Sequence, residues 1–245
     1  MESAVQRAVS VVRERYSEPL TLDDLADAAL VSKFYFLRVF TRVVGVTPGR
    51  FLSAVRLAEA KRLLSDTELT VVEISACVGY GSVGSFARRF TEAVGMSPIQ
   101  YRRHECGAAR WRDRGDVCGL PPGPHGSLLG LVTADGVSAG SWYVGVFDSP
   151  VLQGHPAAWT TLSRPGPFTL NRVPAGDWYV HAVSRDASGG GHGPADGPAA
   201  GSAGPLRVTA GATSRCPELA VRRPDWSRLP LLSELPFLER PRPAA

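Results

Sequence analysis

The 245-residue sequence holds four cysteines, Cys77, Cys106, Cys118 and Cys216, and none of them stands in a CxxC pair. His104 lies close to Cys106, yet no HxxxH spacing joins it, so the ligand pattern of a structural metal site is lacking and no metal is expected. Cys77 reads as a small buried filler, and a cytoplasmic setting argues against structural disulfides. Lysine is nearly missing: Lys33 and Lys61 are the two, so the formal net charge of +4 is carried by arginine. A basic balance suits a polyanionic partner without identifying one. No apolar run approaches the roughly 18 residues that a membrane span needs, and Met1 to Tyr16 reads as an amphipathic helix rather than a signal peptide. The expectation is a cytoplasmic chain with no membrane partner. A nucleophile–base pair and a glycine-rich phosphate loop are both missing, which leaves no catalytic residue and no cofactor to assign. Glycine and proline are scarce at first, with only six of 26 glycines and three of 20 prolines before residue 106. The character of the chain changes there, and two domains are expected.

What the first hundred residues do contain is a repeat. Thr21-Leu22-Asp23-Asp24-Leu25-Ala26 returns as Thr70-Val71-Val72-Glu73-Ile74-Ser75, a shift of 49. After one extra residue the shift is 50, and Ser32, Phe36, Arg38, Phe40, Thr41, Gly45, Pro48 and Phe51 match Ser82, Phe86, Arg88, Phe90, Thr91, Gly95, Pro98 and Tyr101. Repetition at fixed spacing marks two copies of one supersecondary unit, and the slip falls where a turn tolerates it.

Each copy reads as helix, tight turn, helix. Thr21 with Asp24, and Thr70 with Glu73, have capping-box spacing. Leu22, Leu25, Ala26 and Ala29 form one apolar stripe; Val71, Ile74, Ser75 and Val78 form the other. The turns run through Leu30-Val31 and through Gly79-Tyr80-Gly81, with Ser32 and Ser82 as N-caps of the helices that follow. Phe36 and Phe40, like Phe86 and Phe90, stand four apart and read with Tyr101 as core, not as a stacking platform for bases. Gly45 and Gly95 read as helix stops, and Pro48 and Pro98 as openings of further short helices.

Two such units suggest a helix-turn-helix pair. The run GYGSVGSFARRFTEAVGMSPIQYRR (Gly79 to Arg103) resembles the signature of the AraC family of bacterial transcription regulators, and SKFYFLRVFTRVVGVTPGRF (Ser32 to Phe51) resembles that family's first motif. The resemblance implies seven helices in residues 1–105, with Phe51 to Leu64 joining the motifs. It also implies two recognition helices in successive major-groove segments of double-stranded DNA, about 34 Å apart. By position, Ser32, Lys33, Phe34, Leu37 and Arg38 of the first and Ser82, Val83, Gly84, Ser85 and Arg88 of the second face DNA. Arg38 is the candidate base reader, since a guanidinium bonds guanine O6 and N7 together. Arg88 reads a base or holds a phosphate. Lys33, Arg42, Arg89, Arg102 and Arg103 are read as phosphate anchors, which position without specifying. Leu37, Val83 and Gly84 depart from the polar residues many relatives carry there. Leu37 and Val83 can still touch a thymine methyl, and the second helix is expected to specify few bases.

Residues 106–125 read as a charged, then Gly/Pro-rich linker. Strand-like runs follow at Ser127–Thr133, Ser141–Phe147, Pro167–Val173, Trp178–Ser184, Leu206–Thr209 and Leu219–Arg222, separated by turn chemistry at Asp135-Gly136, Pro165-Gly166 and Pro174 to Asp177. Short strands at this spacing predict an all-β antiparallel sandwich over 126–222. The pair GSLLGLVTADG…WYVGVFDSP and GPFTLNRVPAGDWYVHAVSRD is loosely similar to transthyretin-like, carboxypeptidase-regulatory β-sandwich modules. Residues 187–204 read as a mobile loop, and the proline-punctuated tail 223–245 is expected to dock its apolar residues on one of the domains. The fold class expected is therefore multi-domain: an all-α double helix-turn-helix, then an all-β sandwich. The family resemblance implies a regulator with RNA polymerase among its partners and a companion domain that senses a small-molecule effector or mediates contacts. An interaction module tethered to DNA and a DNA-repair-type enzyme are the alternatives; the enzyme would need a reactive cysteine in a suitable site.

Overall fold

The computed structural model describes residues 2–103, 123–134, 141–185 and 199–222. Those residues fall into two compact units, one helical and one of β-strands. Residues 106–122 of the expected 106–125 linker, Cys106, Cys118, His104, the Asp135-Gly136 turn, residues 187–198 of the expected 187–204 loop and the tail from 223 lie outside the described residues.

The helical unit has seven helices: α1 (Glu2–Arg15), α2 (Leu22–Ala29), α3 (Lys33–Val44), α4 (Pro48–Asp66), α5 (Val71–Cys77), α6 (Val83–Val94) and α7 (Pro98–Arg102). The repeat in sequence is a repeat in geometry. Thr21 and Thr70 each accept from the backbone N–H three residues on, while Asp24 and Glu73 reach back to the cap N–H, giving two complete capping boxes. The bonds that end α2, Leu30 N–H to Asp27 O and Val31 N–H to Ala26 O, recur at α5 as Gly79 N–H to Ala76 O and Tyr80 N–H to Ser75 O. Leu30 and Gly79 are therefore equivalent, both left-handed at φ 60° and 82°, and the extra residue of the second copy is Gly81. A leucine in that conformation costs about 1–2 kcal/mol, which the paired hydrogen bonds of the turn offset.

The ring clusters repeat in the same register. Phe36 and Phe40 lie 5.4 Å apart and Phe40 meets Phe51 edge-on at 5.7 Å; Phe86 and Phe90 lie 5.6 Å apart and Phe90 meets Tyr101 edge-on at 5.6 Å. Phe36, Phe40, Phe86 and Phe90 are fully buried, as their spacing predicts. Three expectations are corrected here. Pro48 opens α4 itself, a 19-residue helix, because nothing between Pro48 and Phe51 stops it. Ser32 holds the N-cap position of α3 without a side-chain bond, whereas Ser82 caps α6 through the Ser85 N–H. Cys77 is exposed, since the buried face of α5 runs through Ile74, Ser75 and Val78 and turns position 77 away from it.

Among the described residues the β-unit is a sandwich of eight strands: β1 (His125–Ala134), β2 (Ser141–Phe147), β3 (Ala158–Leu162), β4 (Pro167–Pro174), β5 (Gly176–Arg185), β6 (Ala200–Val208), β7 (Thr213–Arg215) and β8 (Leu219–Val221). One sheet has the order β4-β1-β7 with β8 also on β1; the other has the order β3-β2-β5-β6. Leu128, Val132, Phe168, Leu170, Leu219 and Val221 from the first sheet meet Trp142, Val144, Val146, Val180 and Ala182 from the second in one core. Gly130 makes room in it, since a Cβ there would fall 2.4 Å from the Phe168 ring.

The sheets differ from the expected antiparallel plan in one respect: β7 and β8 run parallel to β1. Two short strands, β3 and β7, went unseen in the sequence, and residues 200–204 belong to β6 rather than to a loop. Their run AGSAGP lacks strand propensity, but it forms an edge strand in which small residues are required. A Cβ on Gly201 would lie 2.6 Å from the Ala220 carbonyl, and Pro205 stands opposite the irregularity between Trp178 and Val180, where no ladder donor is needed. The Cys216 thiol is buried, which pushes it up to about 11 and keeps it protonated.

The second sheet is buried on its outer face as well. Trp159, Gly145 and His181 are cross-strand neighbours on β3, β2 and β5. Tyr143 stacks on Trp159 at 5.8 Å, and Phe147 meets His181 edge-on at 5.4 Å. The connection after β2 buries Ser149, Val151 and Leu152, and His181 Nε2 lies 3.0 Å from the Ser149 carbonyl. Burial holds the His181 pKa below its ordinary 6.5, against the opposing pull of that carbonyl. The folded state then binds the proton less tightly than the unfolded chain, so stability is full above about pH 6.5 and falls as pH drops below it. Urea midpoints of the β-unit should decline between about pH 7.5 and 5, and His181→Gln should flatten that decline.

Candidate nucleic-acid interface

α3 and α6 each present one face to the core and the other to solvent. On α3, Phe36, Val39 and Phe40 are buried, while Lys33, Phe34, Arg38 and Arg42 are exposed. Phe34 is 85% exposed, so a large apolar ring stands on the first turn with no packing reason to be there. Ser32 is exposed beside it and Leu37 is partly buried. On α6, Phe86, Phe90, Ala93 and Val94 are buried, while Ser82, Gly84, Arg88 and Arg89 are exposed and Val83 and Ser85 partly so. Thus residues assigned to DNA from sequence lie on the solvent faces of the second helix of each motif. The two faces are unequal, since the first turn of α6 offers Val83, Gly84 and Ser85 where α3 offers a lysine and two aromatic rings.

The cations on these faces are held in different ways. Lys33 Nζ pairs with Asp23 on α2 at 2.7 Å, and Arg88 pairs with Glu92 one turn on at 3.3 Å. Both pairs are solvent-exposed, where such contacts are worth roughly 0–1 kcal/mol, so a phosphate can replace the carboxylate. Arg38 lies 5.6 Å over the Tyr35 ring and has no carboxylate partner among the described residues. Arg103 is exposed at the end of α7.

Arg102 is placed otherwise than the sequence reading had it. It is half-buried, and its Nη2 donates to the Leu69 carbonyl between α4 and α5. Its position at the last turn of a five-residue helix packed beside that connection turns the guanidinium inward. Arg56 and Arg7 are functional side chains of the scaffold that the sequence reading missed. Arg7 donates to the carbonyls of Ala28 and Ala29 at the end of α2, at 3.3 and 3.0 Å. Nothing in the spacing of either arginine distinguishes it from a solvated one.

A sharp contrast follows for the two kinds of arginine. Arg42→Ala with Arg89→Ala should weaken binding to all DNA sequences alike and reduce the salt slope by about two, at roughly 0.9 per lost phosphate contact. Arg102→Ala should lower the melting temperature of the helical unit and leave the salt slope unchanged.

Residues 25–104 match the family model described as a helix-turn-helix domain. The melibiose operon regulatory protein of Escherichia coli is 32% identical over 99 residues, covering 40% of this chain and 33% of that protein. The HTH-type transcriptional activator AarP of Providencia stuartii is 36% identical over 88 residues, covering 36% of this chain and 65% of that one. Among solved structures, the DNA-binding domain of the global transcriptional factor AdpA in complex with a target DNA is 27% identical with a TM-score of 0.40, over 45% of this chain and 97% of that one. Residues 25–104 thus carry an AraC-type helix-turn-helix domain. The chain spans about a third of the melibiose regulator's length, 33%. No described helix is long and apolar enough to cross a membrane.

Proposed function

We propose that this chain is a sequence-specific transcription regulator that binds double-stranded DNA through residues 1–105, with α3 and α6 in successive major-groove segments. The observation that carries this reading is the repeated presentation: two ring clusters in the same register hold two helices whose outward faces carry Arg38, Phe34, Arg42, Arg88 and Arg89. In this reading Ser32, Lys33, Phe34, Leu37 and Arg38 contact one half-site. Ser82, Val83, Gly84, Ser85 and Arg88 contact the other, and Arg42, Arg89 and Arg103 hold phosphates. Most of the base discrimination resides in α3, and α6 contributes mainly affinity. The β-sandwich alters that binding, by taking a small-molecule effector or by contacting a protein such as RNA polymerase.

The test is selection of binding sites from random DNA, in parallel, with the whole chain and with residues 1–105. The expected result is a shared motif of two half-sites one helical turn apart, with α3's half the more sharply defined. A difference between the two proteins measures what the sandwich adds. Absence of enrichment from both would overturn the reading.

A further inference from the structure

Arg56 lies midway along α4, the helix that joins the two motifs, and its guanidinium is committed at both edges. Nε donates to the Tyr16 carbonyl and Nη2 to the Glu18 carbonyl, each at 2.7 Å. The same group lies 5.7 Å from the centre of the Tyr80 ring. Tyr16 and Glu18 belong to the connection between α1 and α2, on the side of the first motif. Tyr80 belongs to the turn between α5 and α6, inside the second. Two further contacts close the same point. A Cβ on Gly79 would fall 2.5 Å from the Ser17 carbonyl oxygen, so the backbones of the two motifs touch with no space for a side chain. The Tyr80 hydroxyl lies 3.4 Å from Ser53 Oγ, three residues before Arg56 on α4.

Each motif has its own ring cluster and its own caps, so neither depends on this junction for its shape. What the junction supplies is their mutual placement. The second motif follows α4 through the non-helical Thr67-to-Thr70 connection, which Arg102 holds at Leu69. Arg56 makes the direct link between the two motifs, because a planar fork can serve two carbonyls and still lie against a ring, as an ammonium group cannot.

We propose that Arg56 is a spacing-determining residue: by tying the α1–α2 connection to the α5–α6 turn it fixes the offset between α3 and α6, and so the half-site separation that the chain accepts on DNA. The inference rests on the DNA-binding reading above. One base pair inserted between half-sites moves them by about 3.4 Å and turns them by about 35°. A rigid pair of recognition helices cannot follow that displacement and loses the base contacts of one helix while keeping its phosphate contacts; a pair free to move can follow it.

The test uses the full chain as wild type, Arg56→Ala and Arg56→Lys. Affinity is measured for the selected bipartite site and for versions with one base pair inserted or removed between its halves. Wild type should bind the altered sites about ten-fold more weakly or worse, as for a badly mismatched site. Arg56→Ala should reduce that penalty to about two-fold, and Arg56→Lys, which keeps the charge over Tyr80 but serves one carbonyl at a time, should fall between. Thermal melts followed by circular dichroism establish that each variant is folded at the assay temperature, and Arg56→Lys decides the matter where Arg56→Ala is not. A wild type that tolerates the altered spacing overturns the inference. So do variants that keep the full penalty while losing affinity evenly, which would make Arg56 a staple of the fold alone. Failure of wild type to select any bipartite site would overturn the DNA-binding reading itself and this inference with it.

Discussion

Phe90→Ala is expected to cost the helical unit about 3–5 kcal/mol, the usual range for emptying a buried phenylalanine site. Phe90 is fully buried between Phe86 and Tyr101, at 5.6 Å from each ring, and Phe86 in turn lies against Tyr80 at 5.4 Å. Truncation therefore removes the middle ring of a chain of four and leaves a cavity that backbone capped at both ends of α6 cannot close. Against a total stability of about 5–15 kcal/mol for an ordinary domain, that is a large fraction. The two units can be followed separately in a Trp111→Phe, Trp226→Phe background, because the remaining tryptophans, Trp142, Trp159 and Trp178, all lie on strands of the β-unit. Helical circular dichroism should show an early urea transition in the variant, while tryptophan fluorescence keeps its midpoint. Phe34→Ala supplies the contrast on the same fold: its ring is 85% exposed, and its loss should move stability by no more than about 0.5 kcal/mol. A small effect of Phe90→Ala would mean that the second motif is loosely packed and that the geometric repeat does not extend to its energetics.

The helical half was legible in the sequence because its signals are local and doubled. A capping box, a turn, phenylalanines four apart and a terminal glycine are each weak alone, but two copies in register read as one unit. Where the sequence misled, the deciding interaction was long-range. Arg102 carries the same charge and the same apparent exposure as Arg103, and only the nearness of the Leu69 carbonyl turns it inward. Arg56 looks like any arginine on a long helix until the α1–α2 connection is brought beside it. Cys77 was mistaken for filler because a small apolar residue on a short helix fits either face. In the β-unit the long alternating strands are readable, whereas β6 begins in glycine, alanine and serine of low strand propensity, with Gly201 required by its closeness to Ala220. A three-residue strand such as β7 has no periodicity to read, and the parallel pairing of β7 and β8 with β1 depends on where the chain returns. That His181 lies under the Ser149–Leu152 segment on a second buried face follows only from the fold.

Replacing Arg38 should change what the protein recognises more than how strongly it holds DNA. The guanidinium is exposed on α3, steered by the Tyr35 ring at 5.6 Å and free of any described carboxylate, so it enters a groove without first breaking an ion pair. Arg88, its repeat partner, is occupied by Glu92 at 3.3 Å and stands on a helix whose first turn offers Val83, Gly84 and Ser85. Arg38→Ala should therefore cost about 1–3 kcal/mol at the preferred site, the worth of one bidentate base contact, and much less on unrelated DNA. Arg88→Ala should cost less at the preferred site and weaken unrelated DNA in similar proportion. Arg38→Lys separates charge from geometry: it retains a cation on the face but not the fork, and should restore nonspecific affinity without restoring the sequence preference. Competition binding with the selected site against base-substituted versions reads both quantities at once. If Arg38→Ala weakens every DNA equally, Arg38 is a phosphate anchor. Discrimination by α3 would then have to come from Phe34 and Leu37 against thymine methyls, which predicts that replacing thymine by uracil in that half-site abolishes the preference that Arg38 does not provide.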